Sequence, residues 1–279
     1  MSRHTSLKVG GPVDLYAVPQ DAEDLQMLVR QLTEQQIPWL AIGRGYNLLV
    51  RDGGIRGAVI SLEQFNRIEA VGDGRIRAEA GAENLAVVRF GQQLGLGGVG
   101  FISGIPGTIG GAIRMNAGAY GEGVLQHTVC IALLRGGTVC EFCIDELEYG
   151  YRRLDLLPGD VVLAATLQLE PRDPAVTETE IRNDLELRRS KHNVGHPSAG
   201  SFFKNPAGQA AWRLIDAAGL RGASEGGALV SPVHSNFLVN SGNATAADFL
   251  MLSQRVKAAV LEQSGVALEE EVRIVGEEP

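Results

Sequence analysis

The chain has 279 residues, 44% apolar and 21% charged, the composition of ordinary globular proteins and enough length for two or three packed modules. A formal net charge of −8 argues against general nucleic-acid binding, and no apolar run approaches the ~20 residues of a membrane helix. Met1-Ser2-Arg3-His4-Thr5-Ser6 lacks the apolar core of a signal peptide, so the cytoplasm is the expected compartment. Glycine is the outlier: 36 residues, nearly double the usual ~7%, and they cluster as functional loops would.

In chain order, Leu15–Val18 reads as a strand closed by Pro19. A helix follows over Asp21–Gln36, with Leu25, Leu28, Val29 and Leu32 on one face. Strands at Pro38–Ile42 and Ala58–Ser61 complete a small α/β module. Arg67–Val71 and Arg75–Ala80 flank Gly72-Asp73-Gly74, a hairpin signal because these residues tolerate positive φ. Asn84–Leu94 reads as a helix, Val129–Leu134 and Thr138–Cys143 as a hairpin on Gly136-Gly137, and Asp160–Leu169 as a longer strand. Pro171-Arg172-Asp173-Pro174 reads as a linker, and Thr177-x-x-Glu180 as a capping box opening a helix to Ser190. Helices are then predicted at Gln209–Ala218 and Ala246–Gln263, the latter capped by Thr245 and ended by Gly265. Short strands are predicted near Ala228–Val230, Phe237–Val239 and Val272–Val275.

Three cysteines, Cys130, Cys140 and Cys143, give no disulfide framework. Cys140 and Cys143 have redox-motif spacing but sit on a strand, where residues three apart face opposite ways. His192 and His196 are four apart, yet Gly195 and Pro197 spoil the helix that would align them, so no metal site is expected. Gly95-Leu96-Gly97-Gly98-Val99-Gly100 matches a dinucleotide pattern, but it follows a helix rather than a strand and is set aside.

More informative is Ser103-Gly104-Ile105-Pro106-Gly107-Thr108-Ile109-Gly110-Gly111-Ala112, continued by Asn116-Ala117-Gly118-Ala119-Tyr120-Gly121. Pro106-Gly107 fits a type II turn, and Gly110-Gly111 removes two Cβ atoms where backbone approaches something closely. Exposed N–H groups in such loops form anion-binding concavities, while Ile105, Ile109, Ile113 and Met115 require burial. Gly43-Arg44-Gly45-Tyr46-Asn47-Leu48 has the same logic, and two such loops suit a long ligand with a central diphosphate.

These two loops, Tyr151-Arg152, Gly200-Ser201-Phe202-Phe203-Lys204-Asn205-Pro206 and Glu271-Val272-Arg273 together resemble the UDP-N-acetylenolpyruvoylglucosamine reductase (MurB) family, in order and over nearly the whole chain. The resemblance implies an α+β protein: an FAD-binding region of the p-cresol methylhydroxylase type, made of two α+β subdomains (1–62 and 63–172), followed by an α+β substrate-binding domain (173–267). A C-terminal strand near 268–279 would pack with the first subdomain. It further implies tightly bound, non-covalent FAD, NADPH as co-substrate, and reduction of UDP-N-acetylglucosamine enolpyruvate to UDP-N-acetylmuramate for peptidoglycan. Hydride would pass from reduced FAD to C3 and a proton from Ser201 to C2, with Arg152 and Glu271 as the other catalytic residues. FAD would be held by Gly43, Arg44, Gly45, Tyr46, Asn47 and Leu48 on one loop. On the other it would meet Gly104, Ile105, Pro106, Gly107, Thr108, Gly110, Gly111, Asn116, Ala117 and Gly118. Tyr120, Tyr151, Lys204, Asn205 and Arg273 would bind the UDP-sugar.

The sequence departs from the family pattern at Tyr46 and Leu154, each replacing a serine, and neither change touches Arg152, Ser201 or Glu271. The short span from Arg152 to Ser201 resembles a subgroup lacking the extra segment that brings a tyrosine over the substrate, so the nucleotide would be held more openly, or by Arg188, Arg189 and Lys191. The alternatives are another oxidoreductase of the same FAD fold, against which Lys204-Asn205 and Glu271-Val272-Arg273 argue, and a non-catalytic flavin-binding protein.

Overall fold

Apolar periodicity decides the first helix: Leu25, Val29 and Leu32 are buried along Ala22–Glu34, and the Asp21 carboxylate caps it by accepting from the Asp24 N–H at 2.9 Å. The computed structural model describes residues 1–119, 121–191 and 194–279; Tyr120, a candidate substrate contact, and His192 lie outside the described residues. By contacts the chain forms two compact units. One comprises residues 15–44 and 57–186, the other 1–14, 45–56 and 187–279. This grouping follows other lines than the sequence boundaries at 62 and 172.

In the 15–186 unit a five-stranded antiparallel sheet runs in the order Thr138–Cys143, Thr128–Arg135, Val161–Gln168, Arg75–Glu79, Ile68–Gly72. Val161–Leu167 is buried on both faces, because its residues feed two cores, with the alternation shifted once where the pairing with Thr128–Arg135 slips between Ala132 and Leu133. Leu163 and Val161 pack with Leu25, Val29 and Ile60, whereas Val162, Ala165 and Leu167 pack with Val87, Ile109 and Ile113. The sheet is therefore a middle layer. Trp39–Ile42 lies parallel to Ile55–Ser61 on the first side, and the helices Asn84–Gln93 and Ile109–Met115 cover the second. Cys143 lies across from Cys130 and Cys140 from Leu133; all three thiols are free.

In the other unit the helix Ala246–Ser264 buries Phe249, Leu252, Val256 and Val260. Its neighbours are the helix Ala211–Ala217 and a small sheet ordered Ser224–Glu225, Ala228–Val230, Leu238–Asn240. Arg273–Val275 runs parallel to Leu48–Val50, with Ile274 opposite Leu49. Thr245 caps the helix as expected, Asp248 completes a capping box with it, and Gly265 ends the helix at φ 70°. A second carboxylate joins them: Asp52 accepts from the N–H groups of Ala246 and Ala247 at 2.9 and 2.8 Å. An anionic group at the positive end of a helix satisfies donors that have no partner within it, so Asp52→Ala should cost about 1–2 kcal/mol by urea unfolding. A loss within error would show that Thr245 and Asp248 suffice.

Two local readings are corrected. Pro171–Pro174 is no linker, since Glu170–Pro171 pairs with Leu96–Gly97 and Pro174 is already the first residue of a helix ending at Lys191. Proline suits that position because its missing N–H would have had no partner, and Asp173 accepts from the Ala175 N–H at 2.8 Å. Thr177 therefore lies inside the helix, and Thr177-x-x-Glu180 is no capping box. Likewise Ile109–Met115, read as loop, is a helix closed by Asn116 at φ 43°.

Candidate active site

The glycine-rich walls of the 15–186 unit are shaped by contacts that leave no space for a side chain. A Cβ on Gly43 would sit 2.7 Å from Thr108 Oγ1, and one on Gly110 would sit 2.7 Å from Ala80 Cβ. Gly107 takes φ 136°, and its carbonyl accepts from the Asn84 N–H at 3.2 Å. Gly111, by contrast, faces open space. The N–H groups of Ile109 and Gly110 donate to the carbonyls of Ala82 and Ala80, so these two are unavailable to an anion. Arg44 pairs with Glu83 at 2.6 Å.

Three polar atoms on these walls are buried without a hydrogen-bond partner: Asn84 Oδ1, Ser103 Oγ and Thr108 Oγ1. Each such atom costs about 1–3 kcal/mol if left so. Thr108 Oγ1 faces Gly43, the Asn84 amide lies beside Gly107, and Ser103 opens the same glycine-rich run, so unmet polar groups along these walls fit a polar, extended ligand that completes them, as FAD would. Asn84 and Ser103 were not among the sequence candidates. Asn84 also donates from Nδ2 to Ile105 O at 3.0 Å, tying its helix to the Gly104–Gly107 turn.

Tyr151 and Arg152 form the tip of a hairpin between Tyr149–Gly150 and Arg153–Leu154. Arg152 takes φ 54°, a left-handed conformation that is costly for a residue with a side chain and is found where surroundings enforce it. Its guanidinium donates to Gly118 O at 2.9 Å and Asn116 O at 3.4 Å, and lies 5.2 Å from the Tyr151 ring. The chain thus brings Arg152 onto the Asn116–Gly118 turn.

In the other unit, Ser201 follows Gly200, which takes φ 78°. Beyond it Phe202 and Phe203 are fully buried, with Phe202 stacked on Phe249 at 6.5 Å between ring centres. Asn236 holds this stretch: its backbone carbonyl accepts from the Phe202 N–H at 2.7 Å, and its amide both accepts from and donates to the Phe203 backbone at 3.0 and 2.8 Å. Asn236 was missed in the sequence, where nothing marks an asparagine as a partner of a backbone segment 33 residues away. Glu269–Val272 lies alongside, with the Glu271 N–H donating to Phe202 O at 2.8 Å and the Lys204 N–H to Glu269 O at 2.8 Å. Ser201 and Glu271 are thus on adjoining backbone segments.

The three consecutive glutamates take separate partners. Glu269 pairs with Lys204, and Glu270 with Ser253 and Lys257 at 3.0 and 2.9 Å. Asn47 Nδ2 donates to Glu271 O at 2.9 Å, and Asn47 O accepts from the Arg273 N–H. Burial opposes the charged form of Glu270, but donors on Lys257, its own backbone and Ser253 together outweigh it and hold the carboxyl below its ordinary value. A depressed value means that the stability it contributes is present above the unfolded value near ~4.3 and is lost as pH falls through the folded one. Glu270→Gln should therefore be less stable than the parent at pH 7, with the gap closing below about pH 4. A gap constant with pH would show that hydrogen bonding without charge is what matters.

The remaining candidates have modest roles here. Asn205 Oδ1 accepts from the Ala211 N–H at 3.0 Å, at the start of its helix. Gly45 takes φ 64° and packs on His4 O, Tyr46 is partly exposed, and Leu48 is buried at the head of its strand. Arg273 is exposed on Arg273–Val275.

Residues 13–135 match the family model for an FAD binding domain, and residues 192–275 match that for the C-terminal domain of UDP-N-acetylenolpyruvoylglucosamine reductase. The chain is 72% identical over 278 residues to the UDP-N-acetylenolpyruvoylglucosamine reductase of Pelobacter propionicus, covering 100% of this chain and 94% of the relative. It is 55% identical over 276 residues to that of Geotalea uraniireducens, covering 99% and 92%. The crystal structure of the reductase (MurB) from Thermus caldophilus superposes with a TM-score of 0.84 at 33% identity, covering 100% of this chain and 97% of that one. An α+β fold with glycine walls shaped for FAD, and likeness at this level along the whole length, have one reading: the chain belongs to the UDP-N-acetylenolpyruvoylglucosamine reductase family.

Proposed function

We propose that the chain reduces the enolpyruvyl ether of UDP-N-acetylglucosamine enolpyruvate to UDP-N-acetylmuramate, a peptidoglycan precursor, and that Ser201, Arg152 and Glu271 carry the protein's share of the chemistry. Held by the walls at residues 43–48 and 104–118, FAD would supply the redox chemistry, the relay of hydride from NADPH to C3 of the ether. Electron density then builds at C2 and its carboxylate. Ser201 gives the proton to C2; a hydroxyl is a weak acid in water, but positioning against so basic a carbon makes the transfer feasible. Arg152, permanently cationic, meets the carboxylate with its planar fork and offsets the growing charge. Glu271 orients the donor through hydrogen bonding.

The observation that carries this reading is the 2.8 Å bond from the Glu271 N–H to Phe202 O, which sets the serine and glutamate segments side by side. In function, residues 1–172 would hold the cofactor and 173–267 the UDP-sugar, with Tyr120, Tyr151, Lys204, Asn205 and Arg273 on the nucleotide and sugar. With so short a span after Arg152, Arg188, Arg189 and Lys191 would add cationic contacts to the diphosphate. A cytoplasmic site of action completes the proposal; among the described residues no helix is long and apolar enough to cross a membrane.

Anaerobic titration tests it. NADPH should bleach the yellow protein, and the enolpyruvyl nucleotide should restore its colour. Bleaching without restoration would assign another oxidoreductase activity, and no response to either would leave a flavin-binding protein.

A further inference from the structure

Asn116 reads from sequence as a cofactor contact, yet its side chain is spent inside the protein. It is buried, Nδ2 donates to Gly150 O at 2.9 Å, and Oδ1 accepts from the Leu125 N–H at 3.1 Å. One amide thus spans from the end of the helix Ile109–Met115 to the strand that enters the Tyr151-Arg152 turn. The backbone carbonyl of the same residue receives the Arg152 guanidinium, and Arg114, two residues earlier, donates to Leu154 O at 2.8 Å on the strand that leaves the turn. Both arms of the hairpin are therefore tied to the same helix end.

The surroundings are cut to fit that amide. Gly123 has an ordinary extended backbone (φ −124°), so its lack of a side chain is not explained by conformation. A Cβ there would lie 2.5 Å from Asn116 Oδ1 and 3.0 Å from Nδ2. Asn116 itself sits at φ 43°, where asparagine is among the few residues with a side chain that settle readily. Arg152 at φ 54° has no such preference and must be held in place.

We propose that Asn116 is a positioning residue that fixes the hairpin carrying Arg152, with Gly123 keeping the space its amide needs. The inference rests on the catalytic reading of Arg152 given above. Misplacing a charge-stabilising group by about 1 Å can cost on the order of 10²-fold in rate, so a single amide can matter without touching substrate.

Two variants test it. Asn116→Asp keeps the left-handed preference and the acceptor for Leu125 but cannot donate to Gly150. Gly123→Ala leaves Asn116 intact and displaces its amide. In the purified holoenzyme both should retain the flavin spectrum and the rate of flavin reduction by NADPH, while reoxidation by the enolpyruvyl nucleotide slows about 10–100-fold. Both should also speed tryptic cleavage after Arg152 and Arg153, a readout independent of turnover. In an Arg152→Ala background neither should slow reoxidation further, because the residue they position is gone. An equal slowing in that background, an equal loss in the NADPH step, or unchanged reoxidation and cleavage in both variants would overturn the proposal. Normal reoxidation in Arg152→Ala alone would instead sink the catalytic reading of Arg152, and this inference with it.

Discussion

Ser201→Ala is expected to slow substrate-dependent reoxidation of the reduced flavin about 10²–10⁴-fold, the usual contribution of a positioned proton donor. Reduction by NADPH should be untouched, since that half of the cycle needs no proton at the sugar. The backbone should tolerate the change, because Phe202 and Phe203 on one side and Gly200 at φ 78° on the other set the conformation without the hydroxyl. Rapid-mixing measurements of the two half-reactions separate the outcomes. Equal slowing of both would mean that serine supports the site's structure, and normal reoxidation would give the proton another source.

Phe202→Ala should cost about 3–5 kcal/mol, the range for removing a large aromatic from a packed core. Phe202 is fully buried, stacks on Phe249 within 9° of parallel and meets Phe203 edge-on at 5.3 Å. Because Asn236 and Glu271 bind the backbone here, the cavity cannot collapse by moving that backbone without breaking hydrogen bonds. Urea unfolding gives the value directly. A loss near 1 kcal/mol would mean that the cluster relaxes freely, and the rigidity assigned to the Ser201 segment would go with it.

What could be read in advance was set by range. The helix Ala22–Glu34, the hairpin on Gly136-Gly137 and the Thr245 cap depend on neighbours within a few residues, and the structure has all three. The helix Ile109–Met115 was hidden because Gly110 and Gly111 are poor helix formers. Its first turn is fixed instead by the distant Ala80 and Ala82 carbonyls. Thr177-x-x-Glu180 misled because that spacing satisfies the capping rule anywhere, whereas Asp173 and Pro174 supply the real start.

Polar residues were hardest. Motif membership suggested ligand contacts for Asn47 and Asn116 but gave no hint of their internal partners: the amide of the first donates to a backbone carbonyl 224 residues away, and that of the second bonds Gly150 and Leu125. Similarly, the spacing Glu269-Glu270-Glu271 cannot say which acid meets which base. That required the Lys204, Lys257 and Phe202 segments to be in place.

The division into two units has a consequence for synthesis. The chain passes between them at residues 14, 44, 56 and 186, so the unit containing residues 1–14 draws most of its mass from the last third of the sequence. Leu7 and Val9 pack with Phe249 and Leu252, and Leu49 pairs with Ile274. As the polypeptide emerges from the ribosome these early apolar residues must wait for the final ones, whereas residues 57–186 can close their sheet much sooner. At roughly 5–20 residues per second the interval is on the order of ten seconds or more. Such long-range closure is slow and leaves sticky surface uncovered meanwhile. Nascent-chain proteolysis should therefore find the middle of the protein protected while its beginning is still open to cleavage.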